Sequence, residues 1–175
     1  MLGTMAGGAA DCMIWIRKIR SEAMYYKMMH HRRMSVTAAS RILANALYNN
    51  RQWNLSIGSM IIGYDSCNDG VDDVDGGNDA AEPKIYYIDN TGIRIRGDCF
   101  AVGSGSVLAL GILDNNEMNR YAMSKEEAVA LGIKAIRHAT ARDAYSGGYI
   151  NVFHMDVRNG YEHVFAQDMD ATTPC

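Results

Sequence analysis

Apolar positions recur first at helical spacing and then at every second residue, and this rhythm outlines most of the chain. Leu2 to Ala6 reads as a short strand that runs through Gly7 and Gly8 into a helix start. From Ala9 to about Arg33 the periodicity is helical, with Ile14, Ile19 and Ala23 apolar and Arg17, Lys18 and Arg20 on an exposed side. Ser35 is placed to cap a second helix, whose apolar positions Val36, Ala39, Leu43, Ala46 and Leu47 keep helical spacing until Asn49-Asn50. Trp53 to Tyr64 carries β-branched residues and reads as a strand, with Gly58 allowing a bend. Lys84–Asp89 and Ile93–Gly97 form a hairpin around Asn90-Thr91-Gly92, and Cys99–Val102 extends the sheet. Gly103-Ser104-Gly105 then turns the chain into a third helix bearing Val107, Leu108, Leu110 and Ile112. Ser124-Lys125-Glu126-Glu127 is a capping box for a fourth helix, with Ala128, Leu131, Ala135, Ile136 and Ala139 as its buried stripe. Tyr149–Val157 and Tyr161–Phe165 are closing strands joined at Asn159-Gly160, a strong hairpin turn. Helix pairs alternating with antiparallel hairpins predict an α+β fold in which two sheets pack face to face with helices outside.

Two stretches depart from this rhythm. Residues 65–83 are rich in Asp, Asn and Gly and read as a surface insertion in an otherwise single domain spanning 1–175. Aspartates 69, 72, 73, 75 and 79 invite a calcium-loop reading, but counting back from Glu82 puts Val71 at the first ligand position, so the register fails. Residues 168–175 offer little to pack and read as a loose tail.

Composition narrows the function classes. With 48% hydrophobic and 21% charged residues among 175, the chain has enough apolar material for one core, and a net charge of −3 gives no electrostatic case for nucleic acid. The four cysteines lack paired or metal-type spacing, which fits free thiols in a reducing compartment, cytosolic or nuclear. No apolar run is long enough for a membrane span. Methionines 24, 28, 29 and 34 suit adaptable packing or an interface. His30-His31-Arg32-Arg33 reads as a solvated basic helix end rather than a metal site, since adjacent helical histidines diverge.

The chemistry concentrates at Gly3-Thr4-Met5-Ala6-Gly7-Gly8-Ala9-Ala10-Asp11-Cys12. Paired glycines before a helix start let the backbone approach a ligand, and first-turn N–H groups lacking partners face developing negative charge. The same pattern equally describes a tight, well-capped turn. Asp143, at the end of the fourth helix, opposes the helix dipole and so calls for a specific partner, with Arg142 one candidate. Other signatures fail: the dinucleotide fingerprint would need glycine at Leu108, and the chain has no nucleophile elbow, zinc-protease motif or P-loop. Asn54-Leu55-Ser56 fits a glycosylation acceptor, a match common by chance.

The decapeptide resembles the segment that closes the active site of proteasome beta subunits, and its form is similar to the type-5, chymotrypsin-like branch. Ala141-Arg142-Asp143-Ala144-Tyr145-Ser146-Gly147-Gly148 and Val102-Gly103-Ser104-Gly105-Ser106 resemble two further blocks of that family, in the right order. The resemblance implies a four-layer αββα sandwich of N-terminal nucleophile hydrolases, missing its first strands. It also implies a threonine-type endopeptidase acting on unfolded polypeptides, without cofactor, within stacked rings of other alpha and beta subunits. By resemblance, Gly7 offers the oxyanion N–H, Asp143 and Ser146 orient the nucleophile, and Ser104 shares their network. Met5 shapes the specificity pocket, though it reads equally as a core residue, and Ala9 binds extended peptide backbone. The family's nucleophilic threonine, with its aspartate and lysine, falls upstream of Met1. The chain is therefore expected to be N-terminally truncated and inactive alone, or else a non-catalytic subunit filling a ring position.

Overall fold

The computed structural model describes residues 1–65, 81–115 and 122–169. The chain divides into two compact units, Met1–Phe100 and Ala101–Cys175.

The first unit runs β1 (Leu2–Gly7), α1 (Ala9–His30), α2 (Val36–Asn49), β2 (Ile57–Asp65), β3 (Glu82–Asp89) and β4 (Arg94–Gly97). The strands form one antiparallel sheet in the order β1-β2-β3-β4. The register pairs Ser59 with Ile88 and Ile61 with Tyr86, so these buried side chains share the face that meets the helices. Val36, Ala39, Leu43 and Leu47 of α2 pack on that face, joined by Cys12 and Trp15 of α1. The second unit holds α3 (Ser106–Asp114), α4 (Lys125–Thr140) and the antiparallel pair β5 (Tyr149–Asp156) and β6 (Gly160–Asp168). Its two helices meet through Ala109, Ala135 and Ala139, where small side chains permit close approach, with Leu108, Ile112 and Leu113 around them. Ser124 and Glu127 form the expected capping box, and Ser35 accepts from the Ala38 N–H at 3.0 Å.

The order of elements is the one the periodicity predicts, and several boundaries and faces differ. Trp53 lies in a short 3-10 turn, Arg51–Trp53, and is 70% exposed, so β2 begins only at Ile57. Cys99–Val102 forms no strand. Helix α1 ends at His30 rather than Arg33, because His31 turns left-handed at φ 52°. Ile14, Ala128 and Ile136 are exposed instead of buried. Met34 is buried, whereas Met24, Met28 and Met29 lie open on α1. The loose tail expected over 168–175 does not include its first two residues: Asp168 belongs to β6, and the Met169 N–H donates to the Gly148 carbonyl at 2.9 Å. Residues 170–175 lie outside the described residues, as do 66–80 with the acidic run and its calcium reading.

The ends of the stretch expected as an insertion, 65–83, belong to strands. Glu82 and Pro83 open β3, and Asp65 closes β2 as a buried carboxylate. Asp65 accepts from the Val36 N–H at 2.5 Å, the Thr37 N–H at 3.2 Å and the Thr37 hydroxyl at 2.8 Å, and it faces Lys84 Nζ at 3.3 Å. It thus satisfies orphan donors at the start of α2 from a strand 29 residues away in sequence. Burial pushes its pKa up, but the hydrogen bonds from Thr37 and Val36 and the Lys84 ammonium outweigh that and hold it below the ordinary carboxylate value. A carboxyl lowered in the folded state contributes stability above its unfolded pKa, and that contribution disappears as pH falls through the folded value. Asp65→Asn should therefore cost about 2 kcal/mol near neutral pH. In urea unfolding, the gap between variant and parent should close as pH drops below about 4; a gap independent of pH would contradict the charge's role.

Candidate active site

The six candidate residues fall in two groups, each built within its own unit. Met5, Gly7 and Ala9 belong to the β1–α1 passage of the first unit. Ser104, Asp143 and Ser146 belong to the α3 entry and α4 exit of the second.

Gly8 caps α1, and its N–H donates to the Ser56 carbonyl at 2.7 Å. The Ser56 N–H in turn meets the Asp11 carboxylate at 3.3 Å, so Ser56, just before β2, is held through the peptide group on each side of its Cα. This bond fixes the phase of the ladder. Gly8 and Ser56 continue the register of Gly7 with Ile57, and hydrogen-bonded and non-hydrogen-bonded pairs alternate along antiparallel strands. Gly7 therefore stands opposite Ile57 in a non-hydrogen-bonded pair, with its N–H directed away from β2. Since β1 is the last strand of its sheet among the described residues, that amide faces an open edge. Ala9 is exposed at the first helical position, where backbone N–H groups have no intrahelical acceptor.

Gly7 takes φ 114°, which side-chain-bearing residues rarely adopt, and a Cβ there would overlap the Ser56 carbonyl, its carbon 2.8 Å away. Met5 is half-buried against the core of its unit and also lines an apolar cavity of about 270 Å³ shared with Trp15, Ile16, Ile19 and Leu43.

In the second unit, α4 ends at Thr140 and the chain turns back on itself, the Asp143 N–H donating to the Ala139 carbonyl at 2.8 Å and the Ser146 N–H to the Asp143 carbonyl at 3.1 Å. This compact turn aims the Asp143 carboxylate at two hydroxyls. Ser104 Oγ and Ser146 Oγ each donate to the same oxygen, Oδ2, at 2.6 Å, and the Tyr145 N–H donates to Oδ1 at 3.3 Å. Hydrogen bonds from Ser104 and then Ser146 hold the carboxyl below its ordinary pKa, so it stays an anion and an acceptor. The partner demanded by its position is thus a hydroxyl pair. Each serine oxygen keeps lone pairs for a further donor, which suits them to orienting an amine or a water. Among the described residues no group of three His, Cys, Asp or Glu side chains could hold a metal ion, and no helix is long and apolar enough to cross a membrane.

The sequence profile of the family described as proteasome subunit matches residues 1–155. The chain belongs to the proteasome subunit family. Among its curated relatives, proteasome subunit beta type-5 of Dictyostelium discoideum is 42% identical over 96% of this chain and 56% of its own length, and that of Spinacia oleracea is 44% identical over 97% and 56%. A probable proteasome subunit beta type-5 of Schizosaccharomyces pombe is 42% identical over 92% of this chain and 53% of its own length. The chain spans about half the length of these relatives. Membership of the proteasome family accords with the observed α+β make-up and assigns it to the N-terminal nucleophile hydrolase class of folds.

Two contributors escaped the sequence reading. Ser56, noticed only as part of a glycosylation triplet, anchors the Gly8 amide. Gly105, taken as a turn residue, lies buried against Asp143 and Ser146. Gly7→Ala should lower the unfolding free energy by about 2 kcal/mol or more, from backbone strain plus the clash with Ser56. An unchanged urea midpoint would show that the strand can absorb the substitution.

Proposed function

We propose that the chain is the chymotrypsin-like beta subunit of a proteasome core particle, a threonine-type endopeptidase cleaving unfolded polypeptides after large hydrophobic residues. The observation that carries the reading is the single Asp143 oxygen accepting from both Ser104 and Ser146. A threonine hydroxyl, which the family resemblance puts before Met1, passes its proton to its own α-amino group and adds to the scissile carbonyl; the C–N bond breaks, the amine leaves with that proton, and water hydrolyses the acyl-enzyme to release the acid and free the hydroxyl. The buttressed serines orient that amine and a proton-carrying water, work suited to hydroxyls whose own protons are committed to a carboxylate. Within the first unit, separate support comes from the open-edge N–H of Gly7. It can donate to the oxyanion formed in attack, where an amide held in advance lowers the barrier without reorganisation.

Substrate binding follows from the same edge. An extended peptide adds beside β1 through backbone hydrogen bonds, with Ala9 continuing the contact, which reads conformation rather than sequence and so selects unfolded chains. Met5 supplies a flexible apolar wall for a large hydrophobic side chain. No step needs a cofactor. Ring assembly with other alpha and beta subunits is supported by Met24, Tyr25, Met28 and Met29, an exposed apolar set on α1; a cytoplasmic and nuclear location is supported by four cysteines without paired spacing.

The test is a chimera in which this chain replaces the matching stretch of the fission-yeast relative within assembled core particles. It should hydrolyse a chymotrypsin-type fluorogenic peptide, and Asp143→Asn should reduce turnover about 100-fold while particles still form. Intact particles that turn over equally well with Asn at 143 would refute the assignment.

A further inference from the structure

Gly105 is buried at the mouth of α3 and caps that helix with φ −82° and ψ 4°, a conformation open to any L-residue. Backbone freedom therefore does not account for glycine here. Space does: a Cβ at this position would stand 2.9 Å from Ser146 Oγ, 3.0 Å from Ala139 Cβ and 3.2 Å from Asp143 Oδ2. Two of those three atoms are the hydroxyl and the carboxylate oxygen of the Asp143 buttress. The third lies on α4 in the last turn before Asp143, so helix, carboxylate and hydroxyl all rest against one bare Cα.

We infer that Gly105 is a positioning residue, its missing side chain holding the Ser146 hydroxyl in the rotamer that donates to Asp143. The inference rests on the proposed role of Asp143 and Ser146. Carbon and hydroxyl oxygen do not settle at 2.9 Å, so something yields when a methyl group is added. Ser146 is the part that yields most readily, because its oxygen moves by rotation about a single bond. Oδ2 is held by the carboxylate's other bonds, from Ser104 and through Oδ1 from Tyr145. Ala139 is fixed by the helix. A methyl at 105 thus undoes the Ser146 bond while leaving that of Ser104, and does so without touching substrate.

A double-mutant cycle in the assembled chimera tests this. Gly105→Ala should lower kcat roughly tenfold, the scale of losing one charge-assisted hydrogen bond, with KM within about twofold of the parent. Ser146→Ala should do the same, and the double variant should be no slower than Ser146→Ala alone, because both remove one contact. Losses that multiply in the double variant, or a rise in KM at unchanged kcat, would overturn the inference in favour of plain helix packing. Full activity of Gly105→Ala beside an impaired Ser146→Ala would overturn it alone. Full activity of Ser146→Ala would remove the parent reading together with it. Should Gly105→Ala fail to assemble, Gly105→Ala with Ala139→Gly removes the contact on α4 and keeps those on the two oxygens. The cycle then runs on that background, and the same outcomes support or overturn the inference.

Discussion

One amide hydrogen bond sets the phase of everything the first unit can offer. When the Gly8 N–H closes on the Ser56 carbonyl, it fixes which residues of β1 commit their backbone groups to β2 and which turn outward. A slip of one residue would exchange the two sets and send Met5 to the opposite face as well. The cost of preventing that slip is visible in the glycine pair. Gly7 has to adopt a backbone angle closed to other residues so that the chain can pass Ser56 and start a helix at once. Asp11 holds the same residue through its N–H, so the turn, the helix start and the neighbouring strand are one device.

The second unit achieves order by a different route. Among the described residues its helices meet around three alanines, yet its polar cluster is tightly specified. The turn after α4 is closed by backbone bonds, which leaves the Asp143 side chain few directions. Two neutral hydroxyls then offset the cost of holding an anion near a helix C-terminus. A cationic partner would have cancelled the carboxylate's charge in an ion pair; the hydroxyls stabilise the anion without cancelling it and pass its polarity outward.

How much of this was legible in the sequence depended on the range of the interaction. Elements with local signals were readable: the Ser35 cap, the capping box at Ser124 and the turn at Asn159-Gly160 each stand within a few residues of what they stabilise. The faces of α1 were not, since Ile14 and Met24 point outward while Cys12 and Trp15 point in, and mixed periodicity offers no means of choosing. Asp65 was misassigned because its acidic neighbourhood resembles a loop and its partners lie across the fold on α2. At the site, the demand of Asp143 for a partner was evident from helix electrostatics, but Ser104, 39 residues away, came only through resemblance. Gly105 gave no local sign, because the atoms that exclude a side chain there arrive from α4.

The pinned ends of β2 and β3 bear on how this chain can vary over evolutionary time. Asp65 pairs directly with Glu82 across the ladder, Lys84 reaches both carboxylates, and Arg96 binds Glu82 from the next strand. The ladder is thus tied off where the chain leaves it and where it returns. A single residue gained or lost inside either strand would carry these charged groups out of step and turn every following side chain to the other face of the sheet, so the lengths of β2 and β3 should be held far more tightly than their sequences.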